Sequence, residues 1–227
     1  MEHATYDIDM VSQMCISALD VGCSPIVRIP GKQHFHASRI LDGGAQGVII
    51  PHVDSVEEAK AAVDWCKFPP IGHRSSPGPV PQLSYSKYNL ADTMRLCNEN
   101  TLVVIMLETW DAIQSAGDIA AIEGVDVLHI GSNDLSADMG IPGQYDHNKL
   151  IECYKIMTDA CKKHGKFAGM GGIYDEENAT RFIDMGCRFI NSGGDLGFMT
   201  AGANKRSHFL NNVCLLYTSD AADDTCC

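Results

Sequence analysis

Six short apolar runs, most of them bounded by glycine or proline, recur along the 227 residues and constrain the fold more than any other feature. They lie at residues 24–30 (SPIVRIP), 47–53 (GVIIPHV), 102–107 (LVVIML), 126–131 (DVLHIG), 166–171 (KFAGMG) and 188–193 (RFINSG). Apolar runs this short, without polar alternation, belong to parallel strands covered on both faces. The segments between them place apolar residues three and four apart, as helices do. Ser55 opens one that runs to residue 63, with Glu58 three residues on as a capping box. Residues 149–164 form the longest, with Leu150, Tyr154, Met157 and Cys161 on one face and Gly165 as its stop. A further helix, residues 7–21, precedes the first run. Six βα units in series, with right-handed crossovers and no point of reversal, predict an α/β fold of the (β/α)8 TIM-barrel type. A barrel needs eight strands, so the expectation is a barrel lacking about two strands at its N-terminal end.

Composition narrows the partners. Hydrophobic residues at 45% and charged residues at 20% belong to a folded chain, and no apolar run is long enough to span a membrane. Seventeen basic against 29 acidic side chains give a net charge of −12, with no basic stripe to follow a nucleic-acid backbone. Residues 1–9 lack the basic start and apolar stretch of a secretory signal. Ten cysteines show no Cys-x-x-Cys pair and no zinc-site spacing, so reduced thiols and a cytoplasmic location are expected. Residues 214–227 (CLLYTSDAADDTCC) have neither helical nor strand period and read as a non-native tail, leaving one domain over residues 1–213.

Barrel chemistry sits where strands end. Arg28 ends the first run and His52 the second; Glu108 follows the third and Asp134 the fourth. Strands about 4.8 Å apart let Glu108 and Asp134 converge, and two carboxylates are a common holder of Mg²⁺ or Mn²⁺. Each could equally cap the helix that follows it, and spacing alone leaves both readings open. Arg28, in an otherwise apolar run, needs anionic company: a substrate carboxylate or oxyanion, or an ion pair with Glu108 or Asp134. His3 reads by position as a frayed terminal histidine, His52 as a rim residue and His129 as a packed one. Arg74, after the Pro69–Pro70 turn, braces a loop. The glycines at 169–172 and 193–194 suit turns or a phosphate. No nucleotide P-loop and no Ser-His-Asp or Cys-His arrangement is present.

Five strings together resemble the HpcH/HpaI aldolase family: Met1-Glu2-His3-Ala4, residues 24–30 with Arg28, Phe68-Pro69-Pro70-x-Gly-x-Arg74, Met106-Leu107-Glu108-Thr109, and Gly131-Ser132-Asn133-Asp134-Leu135-Ser136-x-Asp138-Met139-Gly140. The resemblance covers roughly residues 1–210. It implies a pyruvate-type barrel and a divalent ion, Mg²⁺ or Mn²⁺ with Co²⁺ possible, on Glu108 and Asp134. It further implies that Arg28 holds the pyruvyl oxygen, that His3 works in proton transfer, and that the backbone at Gly131, Ser132 and Asn133 receives the substrate carboxylate. Family barrels exchange their last helix and assemble as hexamers, so a homo-oligomer is implied. Three departures stand out. The aspartate that the family pairs with this histidine would fall before Met1, as would two strands. Met106 stands where bacterial members carry glutamine. The last helix is expected to stop near Val213.

The resemblance implies a class II carbon–carbon lyase that cleaves a 4-hydroxy-2-oxo acid to pyruvate and an aldehyde. Loss of CO₂ from an oxaloacetate-type acid, or addition of an enolate, would use the same residues. A fragment without its front strands could also be inactive.

Overall fold

The computed structural model describes residues 1–221, with side chains through residue 213. A compact unit spans Met1–Asn191, and a second begins at Ser192. In the first unit six parallel strands are hydrogen-bonded in strict chain order. They are β1 (Ile26–Arg28), β2 (Gly47–Ile50), β3 (Leu102–Leu107), β4 (Val127–Gly131), β5 (Phe167–Gly171) and β6 (Cys187–Ile190). All six expected strands are present, the edge ones shorter than their apolar runs. β1 stops at Arg28 because Pro30 cannot extend a ladder.

Helices link each strand to the next: α2 (His34–Asp42), α3 (Val56–Cys66) and α4 (Leu90–Asn100), α5 (Trp110–Gln114) and α6 (Ala116–Ala120), α7 (Ser132–Asp138) and α8 (Asn148–His164), and α9 (Glu176–Asp184). Ahead of β1 lies α1 (Ile8–Asp20), whose cap Asp7 accepts from the Met10 N–H at 2.8 Å. Ser55 caps α3, accepting from the Glu58 N–H at 3.2 Å. The return bond of the expected capping box falls one residue earlier: the Glu58 carboxylate accepts from the Asp54 N–H at 2.9 Å and also binds Lys32 at 2.7 Å. Leu150, Tyr154, Met157 and Cys161 are buried along α8 as their spacing predicts, and Gly165 ends that helix in the left-handed region at φ 66°.

The two faces of the sheet differ. One buries Val27, Val48, Ile50, Val103, Ile105, Leu107, Leu128, Ile130, Ala168 and Met170 in the large core under the helices. On the other, Ile49, Val104, Met106 and Val127 form a smaller cluster with Ile26, Leu102 and Phe189. Residues of this second parity carry the strands' polar groups, Arg28 and His129, toward the inside of the curl.

In the second unit α10 runs unbroken over Asp195–Ala221. This corrects the expected stop at Val213: residues 214–221 continue the helix although no apolar period marks them, since no glycine or proline occurs between 203 and 221 to end it. The remainder of the expected tail, residues 222–227, lies outside the described residues. No described helix is long and apolar enough to cross a membrane.

Candidate active site

The strand ends converge on a cleft of about 220 Å³. Arg28 of β1, Met106 of β3, Gly131 of β4 and Gly171 of β5 contribute from the sheet; His3, Ser132, Asn133, Asp134, Gly172, Tyr174 and Asn191 contribute from the loops and the start of α7. A larger groove of about 440 Å³, between Trp110, Met139, Lys149 and Glu152, lies on the outer helices and gathers no strand-end residue.

Glu108 stands one residue past β3, with its side chain 2% exposed. Its Oε2 accepts the His52 N–H at 2.7 Å and lies 3.1 Å from the His52 Nδ1. Its Oε1 has no hydrogen-bond partner among the described residues. That oxygen lies against Gly131, so close that a β-carbon there would come within 2.7 Å of it. Burial raises the Glu108 carboxyl above its ordinary range, and the charges of Asp134 and Glu2 push the same way, while His52 opposes them. Asp134 lies in the first turn of α7, exposed to the cleft. Two carboxylates thus approach from consecutive strand ends, and Glu108 Oε1 is left without a bonding partner among the described residues. This donor set fits a hard divalent cation. No group of three or more His, Cys, Asp or Glu residues among the described ones is placed to hold a metal, so protein ligation would rest on this pair.

Arg28 pairs with neither of these acids. Its Nε lies 2.9 Å from Glu2 Oε2, and its Nη1 lies 3.9 Å from the Met106 sulfur. Of the two readings of Arg28, the ion pair with Glu108 or Asp134 is not the one formed; the pairing is with Glu2. The reason is chain path: the Met1 amine bonds the Arg28 carbonyl at 2.9 Å and docks the opening residues beside β1. That docking also corrects the frayed reading of the terminus. His3 remains 68% exposed but borders the cleft, 3.9 Å from the Glu2 carboxylate.

Ser132 is fully buried and its hydroxyl is bonded to the Tyr154 hydroxyl at 2.7 Å, so it can offer a ligand only backbone. The Asn133 side chain accepts from Tyr145 at 2.5 Å and faces the cleft. Arg74 is buried, bonded to Asp42 at 2.6 Å and stacked over Phe68, as a loop brace should be. His129 is fully buried and edge-on to Phe189 at 5.6 Å. Gly169 and Gly171 make its room, since a β-carbon at either would lie 2.5 or 2.6 Å from a ring nitrogen. Neither nitrogen has a hydrogen-bond partner among the described residues, and burial, helped by the Arg28 charge, lowers its pKa to about 4.

Reading from the sequence missed three participants. Glu2 had only its place beside His3 to mark it. Tyr174 and Asn191 sit in loops, where spacing carries no orientation.

The model of the family HpcH/HpaI aldolase/citrate lyase matches residues 1–201. A 4-hydroxy-4-methyl-2-oxoglutarate aldolase of Hapsidospora irregularis is 37% identical over 89% of this chain and 77% of its own length. A 5-keto-4-deoxy-D-glucarate aldolase of Salmonella arizonae is 30% identical over 90% of this chain and 78% of its own length. The crystal structure of an HpcH/HpaI aldolase from Desulfitobacterium hafniense superposes with a TM-score of 0.85 at 30% identity, covering 92% of this chain and 80% of that one. In fold and in sequence, this chain belongs to the HpcH/HpaI aldolase/citrate lyase family.

Proposed function

We propose that this chain is an aldolase-type carbon–carbon lyase that cleaves 4-hydroxy-2-oxo acids to a pyruvyl product and a carbonyl compound. The observation that carries the reading is the pair Glu108 and Asp134 at consecutive strand ends, with Asp134 lining the cleft that also holds Arg28 and Glu108 Oε1 lying against Gly131 at its edge. The names of the two relatives, both aldolases of hydroxylated oxo acids, support the same class.

Glu108 and Asp134 would hold a divalent ion, Mg²⁺ or Mn²⁺ by the hardness of their oxygens. Such an ion supplies Lewis-acid polarisation of the substrate's oxo group. Arg28 donates to the oxo oxygen, where negative charge grows as the carbon–carbon bond breaks. Its Nε is fixed on Glu2 and its Nη1 lies against the Met106 sulfur, which leaves Nη2 for the ligand. Gly131, Ser132 and Asn133 offer backbone N–H groups to the substrate carboxylate. His3, exposed at the rim of the cleft, takes the proton of the 4-hydroxyl group.

The test is release of pyruvate from a 4-hydroxy-2-oxo acid, followed with and without Mn²⁺, Mg²⁺ and chelator. Cleavage that needs the ion and disappears in Glu108→Ala supports the reading. Cleavage that survives exhaustive chelation contradicts the metal assignment. Release of CO₂ from oxaloacetate without any aldol cleavage would shift the reaction to decarboxylation.

A further inference from the structure

His52, which meets both Glu108 and Glu2 beside the cleft, is not used by the proposed chemistry. Pro51 has no N–H to give the β2–β3 ladder, which resumes only where the Val53 N–H meets the Met106 carbonyl at 3.3 Å. His52 is the extra residue between them, held in the left-handed region at φ 52°. This bulge turns its N–H out of the ladder and onto Glu108 Oε2 at 2.7 Å. The ring adds two contacts: Nδ1 lies 3.1 Å from the same oxygen, and Nε2 lies 2.9 Å from Glu2 Oε1. Glu2 in turn holds Arg28 at 2.9 Å. One residue thus meets one carboxylate oxygen with its N–H and with its ring, and leaves the other against Gly131.

We propose that His52 is a positioning residue for the metal carboxylate. It fixes the Glu108 carboxyl plane so that Oε1 alone meets the ion, and through Glu2 it ties Arg28 to the same frame. The proposal rests on reading Glu108 and Asp134 as the ion's carboxylates. A bonding partner behind a ligand orients it, and loss of such a partner weakens metal binding about tenfold or more.

The test is binding of Mn²⁺ alone, read from the electron paramagnetic resonance signal of the free ion, together with urea midpoints. Asparagine tolerates left-handed backbone, so His52→Asn keeps the N–H bond and removes both ring contacts. His52→Gly does the same without backbone strain. The protein should bind one Mn²⁺ per chain and Glu108→Gln none. Both His52 variants should bind it about tenfold more weakly or worse, with urea midpoints near that of the parent. If the His52 variants bind like the parent while Glu108→Gln does not, Glu108 needs no holder and the proposal is overturned, with the metal reading intact. If the parent binds no Mn²⁺, or Glu108→Gln binds it equally, the metal reading falls and takes this proposal with it. If both His52 variants lose their fold, His52 serves the fold alone, which also overturns the proposal.

Discussion

The outer and inner faces of one sheet are built by different rules. Under the helices, Ile105, Leu107, Leu128 and Ile130 are fully buried among other apolar side chains. Facing the inside, β1 carries Arg28, β4 carries His129 and β3 leads to Glu108, with Gly169 and Gly171 of β5 keeping space open. The outer face stabilises by burying area; the inner face accepts buried polar groups and empty space that an apolar packing would remove. Separation of stability from chemistry by strand parity follows, and it can be broken by substitution on either side.

The largest expected effect is on the inner side. Glu108→Ala should lower kcat/KM about a thousandfold, roughly 4 kcal/mol of transition-state stabilisation, while the urea midpoint moves little. Activity assays beside urea titrations check both halves; an unfolded variant would make Glu108 part of the core instead. On the outer side Ile105→Ala should do the reverse. It should lose about 3 kcal/mol of stability by cavity formation, yet the folded fraction should keep its turnover. Chemical denaturation followed by assay well below the midpoint separates the two.

Next in size is an acid-side loss of stability that belongs to His129. Its pKa is lowered in the fold to about 4 from 6.5, so the neutral ring is the form the fold tolerates. Its contribution is intact above about pH 6.5 and is lost as pH falls toward 4, reaching about 2 kcal/mol by pH 5. His129→Phe should remove this slope between pH 7 and 5, measured as urea midpoint against pH; an unchanged slope would assign it to other groups.

The smallest effect concerns the inner glycines. Gly171→Ala puts a β-carbon within 2.6 Å of the His129 ring. It should cost about 1 kcal/mol, and His129→Ala should recover part of that. A double-mutant cycle with no coupling between them would show that the ring moves aside freely.

The outer face was legible because burial writes itself into sequence as runs and periods. Residues 102–107 and the α8 face from Leu150 to Cys161 follow their patterns without exception. The inner face was legible where a residue sits at a strand end: Arg28, Glu108 and Asp134 all reach the cleft side. It was illegible where partners meet across the chain. Nothing in the spacing says that Glu2 takes Arg28, 26 positions on, or that His52 and Glu108 meet across two strand ends. His129 was expected to pack, but its room comes from Gly169 and Gly171 in another strand, whose glycines resembled a turn. At the far end, α10 passes Val213 because local helix propensity continues where no apolar period marks it.

On the proposed reading, the inner face ends in a two-carboxylate site for a divalent ion. Anomalous diffraction at the manganese absorption edge, from crystals of the protein grown with Mn²⁺, tests it most directly. One strong peak is expected between Glu108 Oε1 and the Asp134 carboxylate, absent in Glu108→Gln. A peak held by other residues, or none at a concentration that supports activity, would contradict it.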